Sequence, residues 1–180
     1  MKIPSSLRWK PNGRTLGQGG QAPVIEVTDC EDEFKRVYAL KALSSGKPAK
    51  AYERFSREIE AIRTLTHPSI IRIIDHSAPG RKFPYYVMEL IEGAVPLKKL
   101  LGTENNPFRK SPEKALEIFL GLLSGVEACE KVDIVHRDLS PANILVLPNS
   151  SIKIIDFELC QFDDVETIAL TDEGVGRVER

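Results

Sequence analysis

The feature that most constrains this chain is the segment IVHRDLSPANILV, residues 134–146, in which a polar loop lies between two short apolar runs. Asp138 precedes the loop, and Asn143 follows five residues later. A carboxylate at this place can accept a proton from a hydroxyl, and an amide oxygen can bind a hard cation. Asp156 ends the later apolar run SIKIIDF and offers a carboxylate to the same cation. Asp and Asn often cap turns, but this combination of residue types at this spacing favours a chemical role.

Composition narrows the class of protein. The 180 residues suffice for one domain with a real core or for two small lobes. With 42% apolar and 28% charged residues, the composition is typical of globular proteins. The net charge of −1 gives no broad positive electrostatic potential that would attract nucleic acid or an anionic membrane. The sequence has no apolar run of about 18 residues and no apolar segment of a secretory signal, so we expect a cytoplasmic protein. Its 3 cysteines form no CxxC pair, which predicts reduced thiols without a zinc or disulfide framework.

The hydrophobic pattern predicts an α+β chain. Alternating and β-branched runs predict three strands before residue 44 and two more within residues 70–90. Apolar residues at three- and four-residue steps predict a helix over residues 50–65 between them. A second long, apolar helix is predicted from Ser111, whose hydroxyl is expected to cap it, with Pro112 at its first position. Two short strands follow, so a strand-rich first lobe precedes a helical second part.

Two features of the first lobe carry candidate chemistry. Glycines in LGQGGQAPV let the backbone approach a phosphate closely, although glycine-rich hairpin turns without a ligand are common. The segment lacks the Gly-Lys-Ser/Thr of a Walker loop, and a strand rather than a helix follows it. Lys41 lies in the apolar strand YALKAL, where an unpaired ammonium would be costly. Glu58 is a candidate partner, with Glu53 and Glu60 on the same predicted helix.

In this order and near this spacing, from about residue 13 to about residue 174, the motifs resemble those of the protein kinase family. GQGGQAPV resembles the glycine-rich loop, YALK the strand-3 lysine motif, and FSREIEAI the helix that carries its paired glutamate. YYVMELIEG is similar to the fifth strand and hinge, HRDLSPAN to the catalytic loop, and DFE to the metal-binding Asp-Phe-Gly motif. The resemblance implies a bilobal fold with a five-stranded antiparallel first lobe, one helix in that lobe, and an incomplete helical second lobe.

The resemblance also implies roles for individual residues. Asp138 would orient the acceptor hydroxyl and take its proton, and Lys41, fixed by Glu58, would hold the α- and β-phosphates of ATP. Asn143 and Asp156 would bind Mg²⁺. The implied nucleotide pocket consists of Leu16, Gly17, Gly19, Gly20, Val24, Ala39, Lys41, Met88 as gatekeeper, Glu89, Ile91 and Leu145. The stack that aligns the two lobes would consist of Ile62, Ile73, His136 and Phe157.

The chain departs from the family pattern at several positions. Ala22 replaces the third glycine of the phosphate loop, Ser140 replaces the lysine usual in serine/threonine kinases, and Glu158 replaces the glycine after Asp-Phe. We expect slower transfer and a conformational bias, with the ligand oxygen of Asp156 retained. TDEGVGRVER resembles the start of an activation segment, after which the family continues to an Ala-Pro-Glu motif and further helices. We therefore expect a chain truncated there, with weak transfer on its own and a partner covering the helix over residues 111–131.

The sequence leaves three functions open. The first is a serine/threonine-type protein kinase that uses ATP and Mg²⁺ and acts on a protein substrate, with residues 1–12 as an extension, 13–90 as the first lobe and 91–180 as hinge and partial second lobe. The alternative is a non-catalytic kinase-like module that binds a nucleotide or docks a partner. The third is a kinase of small molecules, which ranks last because such enzymes typically carry His-Gly-Asp where this chain has His-Arg-Asp.

Overall fold

The computed structural model describes residues 8–18, 22–78, 80–81, 83–102 and 106–162. In these ranges the elements are β1 (Trp9–Gln18), β2 (Pro23–Asp29), β3 (Val37–Ala42), α1 (Ala49–Thr64), β4 (Ile73–His76), β5 (Tyr85–Glu89), β6 (Val95–Pro96), α2 (Leu97–Leu101), α3 (Pro107–Lys110), α4 (Pro112–Glu130), β7 (Ile134–Val135), β8 (Ile144–Val146), β9 (Ile152–Ile154) and β10 (Gln161–Phe162). The predicted α+β class, with strands and one helix in the first lobe, is confirmed.

The first lobe is built on a five-stranded antiparallel sheet in the order β1-β2-β3-β5-β4. Because side chains alternate across a strand, the sheet has two different faces. One face carries a small hydrophobic cluster made of Trp9, Val27, Leu40, Ala42, Tyr85 and Val87. On the other face, Lys41 lies opposite both Val24 and Tyr86, and Ala39 lies opposite Met88. The alternation therefore places Val24, Ala39, Lys41 and Met88, which are among the residues predicted to bind a nucleotide, on one side of the sheet.

Helix α1 packs its apolar side inwards. Phe55, Ile59 and Ile62 are buried at the predicted three- and four-residue steps, together with Glu58. The helix covers residues 49–64, within one residue at each end of the predicted range. An extended residue, Leu65, ends it.

The larger hydrophobic cluster extends through both lobes. Its buried members are Leu43, Ala51, Phe55, Ile59, Ala61, Ile62, Leu65, Ile70, Ile71, Tyr86, Ile118, Cys129, Ile134, Ile144, Val146, Ile152, Ile154, Phe157 and Cys160. The loop after α1 is tied to β9 by main-chain hydrogen bonds, from Ile154 N to Ser69 O at 2.7 Å and from Ile71 N to Ile154 O at 3.0 Å. The backbone that leads into Asp156 is thus anchored to the end of α1.

Helix α4 lies close to β9 because of a glycine. A Cβ atom at Gly125 would come within 2.7 Å of the Cδ1 atom of Ile154. The helix begins at Pro112 as predicted, but the predicted cap is wrong in its chemistry. Ser111 donates its hydroxyl to Glu113 Oε2 at 3.0 Å, and its oxygen accepts no capping bond from a helix amide.

The opposite side of α4 is apolar and faces solvent. Leu116, Phe119, Leu120, Leu123 and Val126 are between 40% and 56% exposed. This matches the expectation that α4 carries more apolar surface than a fully solvated helix. That a partner covers this surface stays a prediction. None of the helices in the described part of the chain has the length and apolarity needed to cross a bilayer.

Several short elements were missed by the sequence analysis. Helices α2 and α3 and strand β6 lie between the last strand predicted for the first lobe and the helix predicted from Ser111, where the sequence predicted no element. Strand β1 begins at Trp9 and pairs with β2 there, so part of the predicted extension over residues 1–12 belongs to the sheet. Strands β7 and β10 pair over only two residues each. Elements this short carry no periodicity that a sequence pattern can reveal.

Candidate active site

A buried ion pair forms the centre of the candidate site. The ammonium Nζ of Lys41 lies 2.8 Å from Glu58 Oε1 and 3.1 Å from Oε2, and 3.0 Å from Asp156 Oδ1. The Lys41 side chain is 5% exposed and that of Glu58 is fully buried. The pairing of Lys41 with Glu58 was the expected one, and the structure adds Asp156 to it. One cation therefore joins β3, α1 and the segment after β9.

Opposing effects set the charge of this pair. Burial by itself lowers the pKa of Lys41, but the carboxylates of Glu58 and Asp156 outweigh it and raise that pKa above its usual 10.5. Burial raises the pKa of Glu58, while the ammonium of Lys41 and a hydrogen bond from Tyr86 oppose the shift. Lys41 consequently stays charged at neutral pH and is available to hold an anionic group.

The loop between β7 and β8 orients Asp138. The amide nitrogen of Asn143 donates to the main-chain oxygen and to the Oδ2 atom of Asp138, both at 2.9 Å. These bonds use the nitrogen of the amide and leave its oxygen for a cation. The main-chain hydrogen bond from Ile155 N to Asn143 O, at 2.9 Å, sets this loop directly beside the residue before Asp156. The structure therefore brings together the three polar residues that the sequence singled out.

His136 supports the same loop. Its Nδ1 atom accepts from Asp138 N at 3.3 Å, so its proton lies on Nε2, which donates to the carbonyl of Ile155 at 3.1 Å. Burial lowers the pKa of His136, which favours this neutral form. Its ring lies 4.5 Å from that of Phe157, which is fully buried. His136 and Phe157 are thus in contact, as the predicted stack requires, while Ile62 and Ile73 belong to or pack against the larger hydrophobic cluster.

Left-handed backbone in the loops falls on polar residues. Asp156 has φ 64° and Arg137 has φ 63°. Arg137 donates to the side chain of Gln161 on β10. This hydrogen bond connects the loop between β7 and β8 to the segment after Asp156. Among the described residues, Glu158 is not one of those with positive φ. Replacing the family's glycine with glutamate therefore imposes no left-handed strain at this position.

The predicted adenine-binding residues come from both lobes and differ in exposure. Ala39 is buried, whereas Leu16, Val24, Met88, Ile91 and Leu145 are partly exposed. Gly17 lies on β1 opposite Val24. Gly19 and Gly20 lie outside the described residues, as does the segment that resembles an activation loop.

The side chain of Glu89, a predicted nucleotide-binding residue, bonds instead to other parts of the protein. Its Oε1 atom accepts from Lys153 Nζ at 2.7 Å and from Arg72 N at 3.0 Å. Any contact between this residue and an adenine is therefore made through its main chain. Sequence analysis overlooked Lys153, and it also overlooked Tyr86, although strand alternation places Tyr86 on the same face as Met88.

The donor set at Asp156 and Asn143 fits a hard cation. One carboxylate and one amide oxygen are the ligand types that Mg²⁺ takes from proteins, with water and phosphate oxygens completing its coordination. No cluster of three or more His, Cys, Asp or Glu side chains in the described ranges forms a closed metal site. One carboxylate and one amide oxygen leave most positions around a Mg²⁺ ion to water or phosphate oxygens.

Comparison with known proteins identifies a family. A family model for the protein kinase domain matches residues 11–172. The chain is 32% identical over 154 residues to a probable serine/threonine-protein kinase of Streptomyces coelicolor, a match that covers 83% of this chain and 22% of that protein. It is 30% identical over 180 residues to serine/threonine-protein kinase PknB of Mycobacterium tuberculosis, covering 97% of this chain and 27% of PknB. The chain therefore spans about a quarter of the length of these curated relatives.

Proposed function

This chain belongs to the protein kinase family, and we propose that it transfers the terminal phosphoryl group of ATP to a serine or threonine hydroxyl of a protein. The observation that carries the proposal is the contact of one buried ammonium, Lys41, with both Glu58 and Asp156. The preference for serine and threonine is supported by the names of the relatives, which are serine/threonine-protein kinases.

Asp138 is the proposed general base. Its Oδ2 atom is held by the amide nitrogen of Asn143, so the carboxylate keeps one orientation before the acceptor arrives. Its other oxygen accepts the proton of the attacking hydroxyl, and this makes the hydroxyl oxygen a better nucleophile. His136 fixes the main chain of Asp138 from the buried side. Positioning of this kind supplies much of the rate enhancement in phosphoryl transfer.

Lys41, Asn143 and Asp156 are the proposed phosphate and metal residues. Lys41 binds the α- and β-phosphates while Glu58 keeps its ammonium in place. Asn143 and Asp156 would hold Mg²⁺ through one oxygen each. When bound, Mg²⁺ offsets the charge that develops on the phosphoryl oxygens. Since Asp156 Oδ1 contacts Lys41, its Oδ2 atom is the oxygen best placed for the metal.

The adenine is proposed to lie between the two lobes. Val24 and Ala39 on the sheet would cover one side of the base, and Leu145 on β8 the other. Met88 closes the back of the cleft, and the main chain of residues 89–91 supplies hydrogen-bonding groups to the base edge. Gly17, Gly19 and Gly20, together with Leu16, would cover the phosphates. This arrangement corresponds to a division into a first lobe ending near residue 90 and a second lobe after it.

The proposal is tested by calorimetric titration with ATP, with and without Mg²⁺, on the wild type and on Asp156→Asn. Asparagine is chosen because it tolerates the positive φ of this position better than alanine. We expect Mg²⁺ to strengthen ATP binding in the wild type and to have no effect in the variant. Asp133→Asn is the matched control, because Asp133 is exposed, has φ 55° and lies outside the site.

A second variant separates binding from transfer. Asp138→Asn should bind ATP and Mg²⁺ like the wild type but should lose phosphate transfer to a protein acceptor, measured with γ-labelled ATP. Magnesium-independent ATP binding in the wild type would contradict the proposed metal site. Equal transfer by Asp138→Asn and by the wild type would contradict the proposed base.

A further inference from the structure

Tyr86 on β5 contacts the buried ion pair of Lys41 and Glu58. Its hydroxyl donates to Glu58 Oε1 at 2.9 Å, and the same oxygen lies 2.8 Å from Lys41 Nζ. The ring of Tyr86 lies 6.0 Å from Lys41 Nζ and 5.5 Å from the ring of Phe55 on α1. Only 2% of Tyr86 is exposed. One side chain on β5 therefore contacts both members of the pair and the helix that carries Glu58.

We propose that Tyr86 is a positioning residue that holds Glu58, and through it Lys41, in the orientation needed to bind nucleotide phosphates. This inference rests on the proposed function, since it assigns a role within the same site. Tyr86 lies in the segment that resembles the fifth strand and hinge, but the resemblance gives its side chain no role, so its part follows from its contacts.

The burial of Glu58 explains why such a donor is needed. A buried carboxylate needs several donors, and Lys41 is the only charged one that the described contacts of Glu58 include. Lys41 is also shared with Asp156, so its position depends on what Asp156 binds. The described hydrogen bond of the Tyr86 hydroxyl goes to Glu58 and not to Asp156, so it does not depend directly on what Asp156 binds.

The hydroxyl remains a donor under all ordinary conditions. Burial raises the pKa of Tyr86 well above its usual value, and the nearby carboxylate of Glu58 adds to the shift.

The geometry restricts this role to one of the two tyrosines of β5. Tyr85 points to the opposite face of the sheet and packs in the small cluster with Trp9 and Val87.

The test compares Tyr86→Phe with Tyr85→Phe in the whole chain. Each substitution removes one hydroxyl and keeps the ring, so packing is retained in both. Dissociation constants are measured for ATP with Mg²⁺ and for adenosine, which fits the base pocket but has no phosphate. We expect Tyr86→Phe to bind ATP about three- to tenfold more weakly, with adenosine unchanged. We expect Tyr85→Phe to match the wild type with both ligands.

Two results would overturn the inference. One is ATP binding by Tyr86→Phe equal to that of the wild type. The other is an equal loss of ATP and adenosine binding, which a purely structural role would produce. A fall in thermal stability alone does not support the inference, because both tyrosines are buried.

A second readout does not depend on nucleotide. The ¹⁵N–¹H signal of the Lys41 ammonium is observable only while its protons are held in hydrogen bonds and shielded from solvent. We expect this signal in the wild type and in Tyr85→Phe, and a broadened or missing signal in Tyr86→Phe. If the wild type binds neither ligand, the proposed function fails, and the Lys41 signal still decides the role of Tyr86. An unchanged signal in Tyr86→Phe would overturn that role.

Discussion

The ammonium of Lys153 lies 2.7 Å from the carboxylate of Glu89 and so joins β9 to the end of β5. Lys153 also donates to the carbonyl of Ile70, at 3.1 Å, in the loop that follows α1. Its side chain is 14% exposed and that of Glu89 is 22% exposed. One lysine near Asp156 therefore connects the strand that ends at the hinge, the loop after the glutamate-bearing helix, and the strand that leads to the proposed metal ligand.

Lys153→Met should lower the free energy of unfolding by about 1–3 kcal/mol, because it leaves the carboxylate of Glu89 partly buried without its cation. The measurement is urea unfolding at neutral pH. Lys131→Met is the matched control, since Lys131 pairs with Glu127 at 2.8 Å but both side chains are more than half exposed, at 69% and 61%. We expect no measurable change there. Equal effects of the two substitutions would refute a special role for Lys153.

Acid should weaken the edge of the sheet through Asp29. Its carboxylate accepts from Arg8 NH2 at 2.9 Å, and this hydrogen bond lowers the pKa of Asp29 below its usual 3.8. A carboxyl whose pKa is lower in the folded state stabilises the fold fully above its unfolded pKa. That contribution is lost as the pH falls below about 4 and through the folded pKa.

Asp29→Asn should therefore make the free energy of unfolding less dependent on pH below about 4. Urea unfolding between pH 6 and the acid limit of folding measures this slope. Arg8→Met removes the same interaction from the other side and should reduce the slope to a similar extent. The double variant should show no further reduction. A slope in Asp29→Asn as steep as in the wild type would show that other carboxyls cause the acid sensitivity.

The three cysteines should differ in reactivity. Burial raises the pKa of both Cys129 and Cys160 to about 11, whereas Cys30 is only partly buried. Since the thiolate is the reactive form, iodoacetamide at pH 8 should modify Cys30 and spare the other two. Peptide mass spectrometry with and without urea measures this, and all three should react in urea. Rapid native labelling of Cys160 would mean that the segment after Phe157 opens readily.

Hydrophobic periodicity in the sequence predicted the regular elements of the first lobe. Alternation identified the strands of the first lobe, and three- and four-residue steps located α1 to within one residue. Apolar periodicity alone left Glu53, Glu58 and Glu60 as candidate partners of Lys41, and the resemblance to the kinase family selected Glu58. In the structure Glu58 is the partner of Lys41, because the apolar face of α1 includes position 58, where the carboxylate is buried.

Hydrophobic periodicity could not predict side-chain contacts between residues that are far apart in the sequence. Tyr86 and Glu58 are 28 residues apart, and neither lies in a sequence context that indicates a hydrogen bond. The partner of Glu89 is on a strand of the other lobe, and the two-residue ladder of β7 and β10 depends on the fold being complete. Ser111 shows the same limit at short range, because its side chain bonds to Glu113 and accepts no hydrogen bond from the helix amides.

The larger hydrophobic cluster has a consequence for dividing the chain. It includes Phe55 and Ile62 of α1 together with Ile118 of α4 and Ile154 of β9, so the lobes share one core. The predicted boundary near residue 90 therefore does not separate two autonomous folding units. A fragment that ends near residue 90 would expose the inner side of α1 and should not fold independently. A movement that separated α1 from α4 and β9 would expose this shared core to water.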